Sequence, residues 1–393
     1  MNSIPVKKPR IEVVDALRGF AIMAIMLLHS IEHFNFYVFP DKSTQPDWLN
    51  TIDDGIWDTL FFLFGGKGYA IFAILFGFTF SLMYTKQLKL GKDFGYRFLW
   101  RMLLLAGFAF INGMFFPGEV LLMYAIVGVT LFIVRHWGNK ALLIASFILL
   151  LQPVEWIHYM MYVLDNTYTV PRTNMGSYWG FISEGQLSHS FLDLVKSNTL
   201  YGHKASLLWA YSVGRLLQTA GLFIFGYWLG KKQLFVNSEK SLKFWKKVLT
   251  ASILTFIPLY ILETNIKSTI DIQIYKDTLF KAIDMYGNLA FTLFLISAFI
   301  LFYRVDFFIK ITNGLRYCGK MSLTAYVFQS IIGGFVFYGY GLALGPSLRH
   351  TKSFLLGILL FTFQVYIYRF WLKKFNQGPL EKLWHKLTWI NYK

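Results

Sequence analysis

The chain has 393 residues, 55% hydrophobic, 19% aromatic and only 15% charged, with a formal net charge of +17. Soluble domains carry about 25% charged residues, so this composition excludes an ordinary soluble enzyme and points to a polytopic membrane protein. The single cysteine, Cys318, excludes an intrachain disulfide and a cysteine-built metal centre, and the positive charge sits in short loops between apolar runs, a positive-inside pattern rather than a nucleic-acid surface.

In chain order, runs of span length fall at 13–39, 60–84, 98–116, 119–135, 140–162, 206–230, 247–263, 283–303, 323–345 and 354–372. The predicted fold class is all-α: a helix bundle of about ten transmembrane helices in one integral-membrane domain. The basic start Lys7, Lys8, Arg10 leads into a run too long and too polar for a signal-peptide core, so the first span is expected to be retained. The loops near 86–101, 135–140, 231–247 and 304–320 and the tail beyond Arg369 are basic, whereas 40–58 holds Asp41, Asp47, Asp53, Asp54 and Asp58. That alternation predicts a multi-pass protein of the cytoplasmic (inner) membrane with both termini in the cytoplasm. The stretch 163–205 is the longest non-spanning piece and is expected to be an outer loop, either a lid or an ordinary interfacial segment. In the cytoplasmic tail 373–393, Pro379 suits a first helical turn, and Leu380, Leu383, Trp384 and Leu387 form an apolar stripe opposite Lys382, His385 and Lys386. This predicts a short amphipathic helix at the interface.

The first span carries Asp15, Arg18, His29, Glu32 and His33. Ionisable groups at membrane depth cost on the order of 2.5–3.5 kcal/mol each and are kept for function or for pairing. Arg18 and His29 share a helix face about three turns, roughly 16 Å, apart. Asp15 and Arg18 can pair at i, i+3, and the Arg18 fork suits phosphate or carboxylate. His29, deep in the span, is the candidate general base. His29, Glu32 and His33 also read as H-x-x-E-H, which could place two imidazoles on one helix face for zinc. The distal ligand of that pattern is missing, so no metal is expected. Further polar points are Lys67 at the entry to the second span, Arg97 and Arg101 one turn apart as a phosphate clamp, Glu119 in a tight turn, Arg215 in the sixth span and Gln329 in the ninth. Asp15, Glu119, Arg215 and Gln329 are expected to line one polar cavity with the rest.

The segments RIEVVDALRGFAIMAIMLLH, FAILFGFTFSLMY, RFLWRMLLLAGFAFINGMFFPGEVLLMYAIVG, GKMSLTAYVFQS and GPLEKLWHKLTW together resemble the YeiB-like family of bacterial membrane proteins, in family order over most of the chain. That family is loosely described as transporters and is linked by fold to transmembrane acyltransferases. Membrane acyltransferases that modify surface sugars carry an Arg or Lys, ten residues, then a His on the first helix, a spacing that Arg18 and His29 match. Their cytoplasmic arginine pair resembles Arg97 and Arg101, here one residue wider. Many YeiB-like relatives have Asn where this chain has His29, and the usual Asp of the turn is Glu119 here.

The resemblance implies an acyltransferase. Acyl-CoA, acetyl-CoA foremost, is expected as donor, bound by Arg18, Arg97, Arg101 and Lys67. His29 is expected to act as base, with Glu32 and His33 orienting it. The expected partners are membrane lipids and a small-molecule or glycan acceptor reached from outside, with a homodimer admitted and nucleic acid excluded. A proton-coupled transporter or exporter of a small solute is the alternative reading of the same polar seam, although no internal repeat is visible. A protein that only binds lipid or a partner is the third.

Overall fold

The computed structural model describes residues 11–390; the basic residues Lys7, Lys8 and Arg10 and the last three residues lie outside the described part. Among the described residues all regular structure is helical. The helices are α1 (Glu12–Ile31), α2 (Asp47–Phe64), α3 (Lys67–Leu88), α4 (Gly95–Phe115), α5 (Leu121–Ile133), α6 (Asn139–Leu150), α7 (Pro153–Leu164), α8 (Met175–Leu187), α9 (Phe191–Ser197) and α10 (His203–Ser212). They continue as α11 (Arg215–Lys231), α12 (Glu239–Thr269), α13 (Gln273–Tyr275), α14 (Lys281–Phe302), α15 (Asp306–Ile311), α16 (Asn313–Lys320), α17 (Ser322–Phe337), α18 (His350–Lys374) and α19 (Pro379–Thr388).

Every expected apolar run falls on a helix, but the runs are not equivalent. Six stretches are long and apolar enough to cross a membrane, and eight qualify if two bent pairs each count as one span. The pairs are α6 with α7, bent by 50° at Leu151–Gln152, and the 191–212 stretch with α11, bent by 78° at Gly214. The first break precedes Pro153, whose ring cannot continue a helix. The second follows Gly214, held at φ +71°, the left-handed region that glycine enters without steric cost. The remaining two expected spans are the short helices α5 and α17. Pro258 sits inside α12 without ending it.

Three boundaries differ from expectation. The first helix stops at Ile31 rather than near 39: Phe34 N–H closes on His29 C=O at 2.9 Å, and Phe36 and Tyr37 take positive φ. The acidic stretch 40–58 is not all loop, because Asp47, Asp53, Asp54 and Asp58 lie on α2. The 163–205 segment is largely helical. Ile182 of α8 and Leu194 of α9 are fully buried, giving two short helices the apolar anchors that composition alone obscured.

The bundle is assembled through glycine crossings. α3 and α11 pack intimately; a Cβ at Gly226 would lie 1.9 Å from the Ile74 carbonyl oxygen and one at Gly77 1.9 Å from that of Phe223. Small residues let backbones meet where lipid offers no competing hydrophobic drive. α1 packs against α16, α18 and α3. The C-terminal helix α19 is docked rather than free. The Glu381 carboxylate accepts Leu323 N–H (2.7 Å), Thr324 N–H (3.1 Å) and the Thr324 hydroxyl (2.6 Å), capping α17. Trp384 donates its indole N–H to the Arg101 carbonyl at 3.2 Å, and Leu380, Trp384 and Trp389 pack on the core. Leu383, also on the expected apolar stripe, is exposed at the protein surface.

Candidate functional site

The elements above leave a cavity of about 720 Å³ between the C-terminal end of α1, the α2–α3 break, the α4–α5 turn and the starts of α11 and α14. His29, Glu32, His33, Lys67, Glu119 and Arg215, singled out in the sequence, all line it. This size suits a small ligand rather than a whole nucleotide cofactor.

His29 is in the last turn of α1, not deep in the span, and Glu32 and His33 lie beyond the helix. The turn folds them back beside His29. His33 Nδ1 is 2.8 Å from Glu32 Oε1, Tyr37 donates its hydroxyl to Glu32 Oε2 at 3.1 Å, and the His29 and His33 rings are 4.9 Å apart. Phe116 covers His29 from the α4–α5 side at 4.9 Å. Burial works against the Glu32 carboxylate, but the two imidazoles and the Tyr37 hydroxyl outweigh it and hold its pKa below the usual range. The two imidazoles and the carboxylate each offer one atom within 4.8 Å of the others, the set among the described residues that could hold a metal ion. Of these, His33 and Glu32 are already in contact while His29 lies beside them through its ring, so the arrangement also works as it stands, as a histidine next to a carboxylate-held imidazole.

Lys67 and Arg215 occupy matching positions, each the first residue of a helix that follows a left-handed glycine, Gly66 at φ +74° and Gly214 at φ +71°. Lys67 is buried, 3.4 Å from the Phe61 carbonyl oxygen and 5.7 Å from the Phe291 ring centroid. The Arg215 guanidinium lies 4.3 Å from the Tyr69 ring centroid and 4.4 Å from that of Trp209, two cation–π contacts that hold it in place. Glu119 is fully enclosed. Its oxygens accept the N–H groups of Leu121 and, at 2.9 Å, Leu122, so it caps α5. Burial pushes its pKa up, to about 8, against the pull of those two amides.

The remaining candidates lie elsewhere. Arg18 pairs with Asp15 at 3.1 Å and donates to Thr79, within the bundle and away from the cavity. Arg97 donates to the carbonyls of Thr388 and Ile390, both at 3.2 Å. Arg101 donates to Thr388 Oγ1 at 3.1 Å, with its guanidinium 3.5 Å from the Trp384 ring centroid. These two arginines hold α19. Gln329 ties α17 to α1 and α18 through the Ile22 carbonyl (3.2 Å) and the Gln364 side chain (3.4 Å).

The cavity also contains Tyr69, Trp179, Asp284 and Asn288, none of which the sequence reading singled out. Asp284 is an ionisable residue inside an apolar run, and the rule that flagged Arg215 would have flagged it too. Tyr69 and Trp179 carried no local signal. A buried lock was also missed: Asp53 accepts from Arg349 Nε at 3.2 Å and from Thr351 N–H at 2.6 Å.

The comparisons with known proteins agree with this architecture. Residues 229–391 match the family described as "Protein of unknown function (DUF418)". The "Uncharacterized protein YeiB" of Escherichia coli (strain K12) is 25% identical, covering 95% of this chain and 95% of its own length. The chain is YeiB-like. The "Uncharacterized protein YxaH" of Bacillus subtilis (strain 168) is 23% identical over 98% of this chain and 95% of its own length. An "Uncharacterized 39.9 kDa protein in amylase 3'region" of Bacillus acidopullulyticus is 23% identical over 97% and 94%. No solved structure matches.

Proposed function

We propose that the protein is an integral-membrane acyltransferase of the cytoplasmic membrane. It would take an acyl group from cytoplasmic acyl-CoA, acetyl-CoA foremost, and pass it to an acceptor entering from the opposite side. The observation that carries the reading is His29, presented to a small-ligand cavity with Glu32 and His33 beside it. In the reaction, the acceptor oxygen or nitrogen attacks the thioester carbonyl carbon. His29 takes the acceptor's proton as the new bond forms; the C–S bond then breaks and the thiolate leaves as CoA-SH with that proton. Glu32 fixes His33, and the pair orients the acceptor or the imidazole. The cavity takes the thioester end and the acceptor. The nucleotide end stays towards Arg18, roughly 16 Å along α1 from His29. Arg97 and Arg101 contribute indirectly, by fastening α19 over this side of the bundle.

The test is loss of labelled acetyl-CoA thioester by purified protein in detergent. His29→Ala should abolish it with the unfolding temperature unchanged; undiminished turnover would end this mechanism. One observation favours transport of a small polar solute instead: two helix breaks, at Gly66 and Gly214, bring two helix starts to one cavity, as in transporters built from discontinuous helices. Solute flux into proteoliposomes under a pH gradient, without any acyl donor, is the result that would favour it.

A further inference from the structure

The cavity that holds His29 also contains two cations at two helix starts. α3 and α11 run side by side with their first residues at the cavity, α11 after a 78° bend and α3 as the continuation of the Asp47–Leu88 stretch, and neither start has a side-chain cap. The amide groups of a helix's first turn carry partial positive charge and point outward along its axis. Lys67 opens one helix and Arg215 the other. An ideal Cβ placed on Gly66 would be 3.6 Å from Arg215 Nη2, which puts the guanidinium beside the α3 break.

The carboxylates around them are committed elsewhere. Glu32 is engaged by His33 and Tyr37, Glu119 caps α5, Asp284 accepts from Asn288 Nδ2 at 3.0 Å, Glu155 beside Gly214 pairs with Lys281 at 3.3 Å, and Glu263 pairs with Lys267. Asp284 answers Lys67 and Arg215 only at longer range, and neither cation has an acidic oxygen within ion-pair distance among the described residues. An independent observation marks a missing ligand. Tyr69, only 7% exposed and lining the same cavity, has a buried hydroxyl with no hydrogen-bond partner. A buried, unpaired donor costs free energy unless something accepts from it. The Arg215 guanidinium between the Tyr69 and Trp209 rings, the Lys67 ammonium, the Tyr69 O–H and the uncapped start of α11 are all donors or positive poles. Their complement is an oxyanion.

We infer that this end of the cavity is a binding site for an oxyanion, a phosphate or carboxylate, carried by the solute that enters there. Within the acyl-transfer reading on which the inference rests, this makes the acceptor an anionic molecule. Its charged group docks between Arg215, Lys67 and Tyr69 while its hydroxyl or amine reaches His29. Glycerol 3-phosphate and inorganic phosphate represent one form of the ligand chemistry and acetate the other.

The experiment is titration of full-length protein in detergent with inorganic phosphate, glycerol 3-phosphate and acetate, read by calorimetry and by ligand-induced thermal shift. Saturable binding of one of these anions is expected. Arg215→Gln should weaken it by about tenfold or more, the scale of one charge-assisted hydrogen bond. Tyr69→Phe, which removes only the hydroxyl, should weaken it with the unliganded unfolding temperature maintained or raised. His29→Ala should leave binding of inorganic phosphate and acetate, which have no group to reach His29, intact. Absence of saturable binding, or binding indifferent to both Arg215→Gln and Tyr69→Phe, overturns the inference. So does displacement of the bound anion by CoA, which would assign the site to the donor. Thioester loss from labelled acetyl-CoA is measured on the same preparations. Turnover without anion binding refutes the oxyanion site and spares acyl transfer, and anion binding without turnover does the reverse.

Discussion

Replacing Gly226 by alanine tests the crossing that positions the cavity. The added Cβ would lie 1.9 Å from the Ile74 carbonyl oxygen, 2.8 Å from its carbon and 3.0 Å from Phe78 N. Comfortable heavy-atom contacts lie near 3.5 Å, so α11 and α3 must part by roughly 1.5 Å. The obstacle is backbone, which cannot swing away as a side chain can. Overpacking of this kind costs about 1–3 kcal/mol, and the upper end is expected here. The displacement also reaches the site, because Lys67 and Arg215 start these same two helices; a misplacement near 1 Å can cost about a hundredfold in a positioned reaction. The control is Gly107→Ala in α4, where a Cβ meets nothing within 4 Å and the lower backbone entropy of alanine should stabilise by about 0.5–1 kcal/mol. Unfolding in detergent, by heat and by denaturant, should separate the two variants in opposite directions from wild type. Equal shifts, or a Gly226→Ala protein as stable as wild type, would refute the close crossing.

Three other outcomes follow from named contacts. Glu119 has a folded pKa raised to about 8 by burial, so its contribution to stability is fully present below the unfolded value of about 4.3 and is lost as pH rises through 8; Glu119→Gln should flatten thermal stability over that window, and an unaltered pH profile would contradict the assignment. Asp53→Asn should destabilise by about 3–5 kcal/mol because it leaves Arg349 buried beside an uncharged partner, and adding Arg349→Met should restore part of the loss in a denaturant titration. Glu381→Ala removes the cap on α17, at a cost of about 0.5–2 kcal/mol. It should release α19 to proteolysis in the 375–378 linker; an equally protected tail would mean that the Arg97, Arg101 and Trp384 contacts hold the helix without it.

Composition and apolar run length were enough to determine a multi-pass helical membrane protein, and each expected run does lie on a helix. The reason is physical: in hydrocarbon the backbone must satisfy itself within the segment, so a long apolar run has little choice but helix. The amphipathic tail was equally legible, since Leu380 and Trp384 share a face at helical spacing whatever that face meets. What it meets was not legible. Arg97 and Arg101 look like a phosphate clamp in one dimension, and only the docking of α19 shows that their donors point to Thr388, Ile390 and Trp384. The end of α1 likewise depended on turns at Phe34, Phe36 and Tyr37, which hydropathy does not encode, and those turns bring His33 back beside Glu32. The cavity itself was a tertiary decision. His29, Lys67, Glu119, Arg215, Tyr69 and Asp284 come from five separate parts of the chain, and charges so distant in sequence meet only after glycine crossings and helix breaks have set the distances between helices.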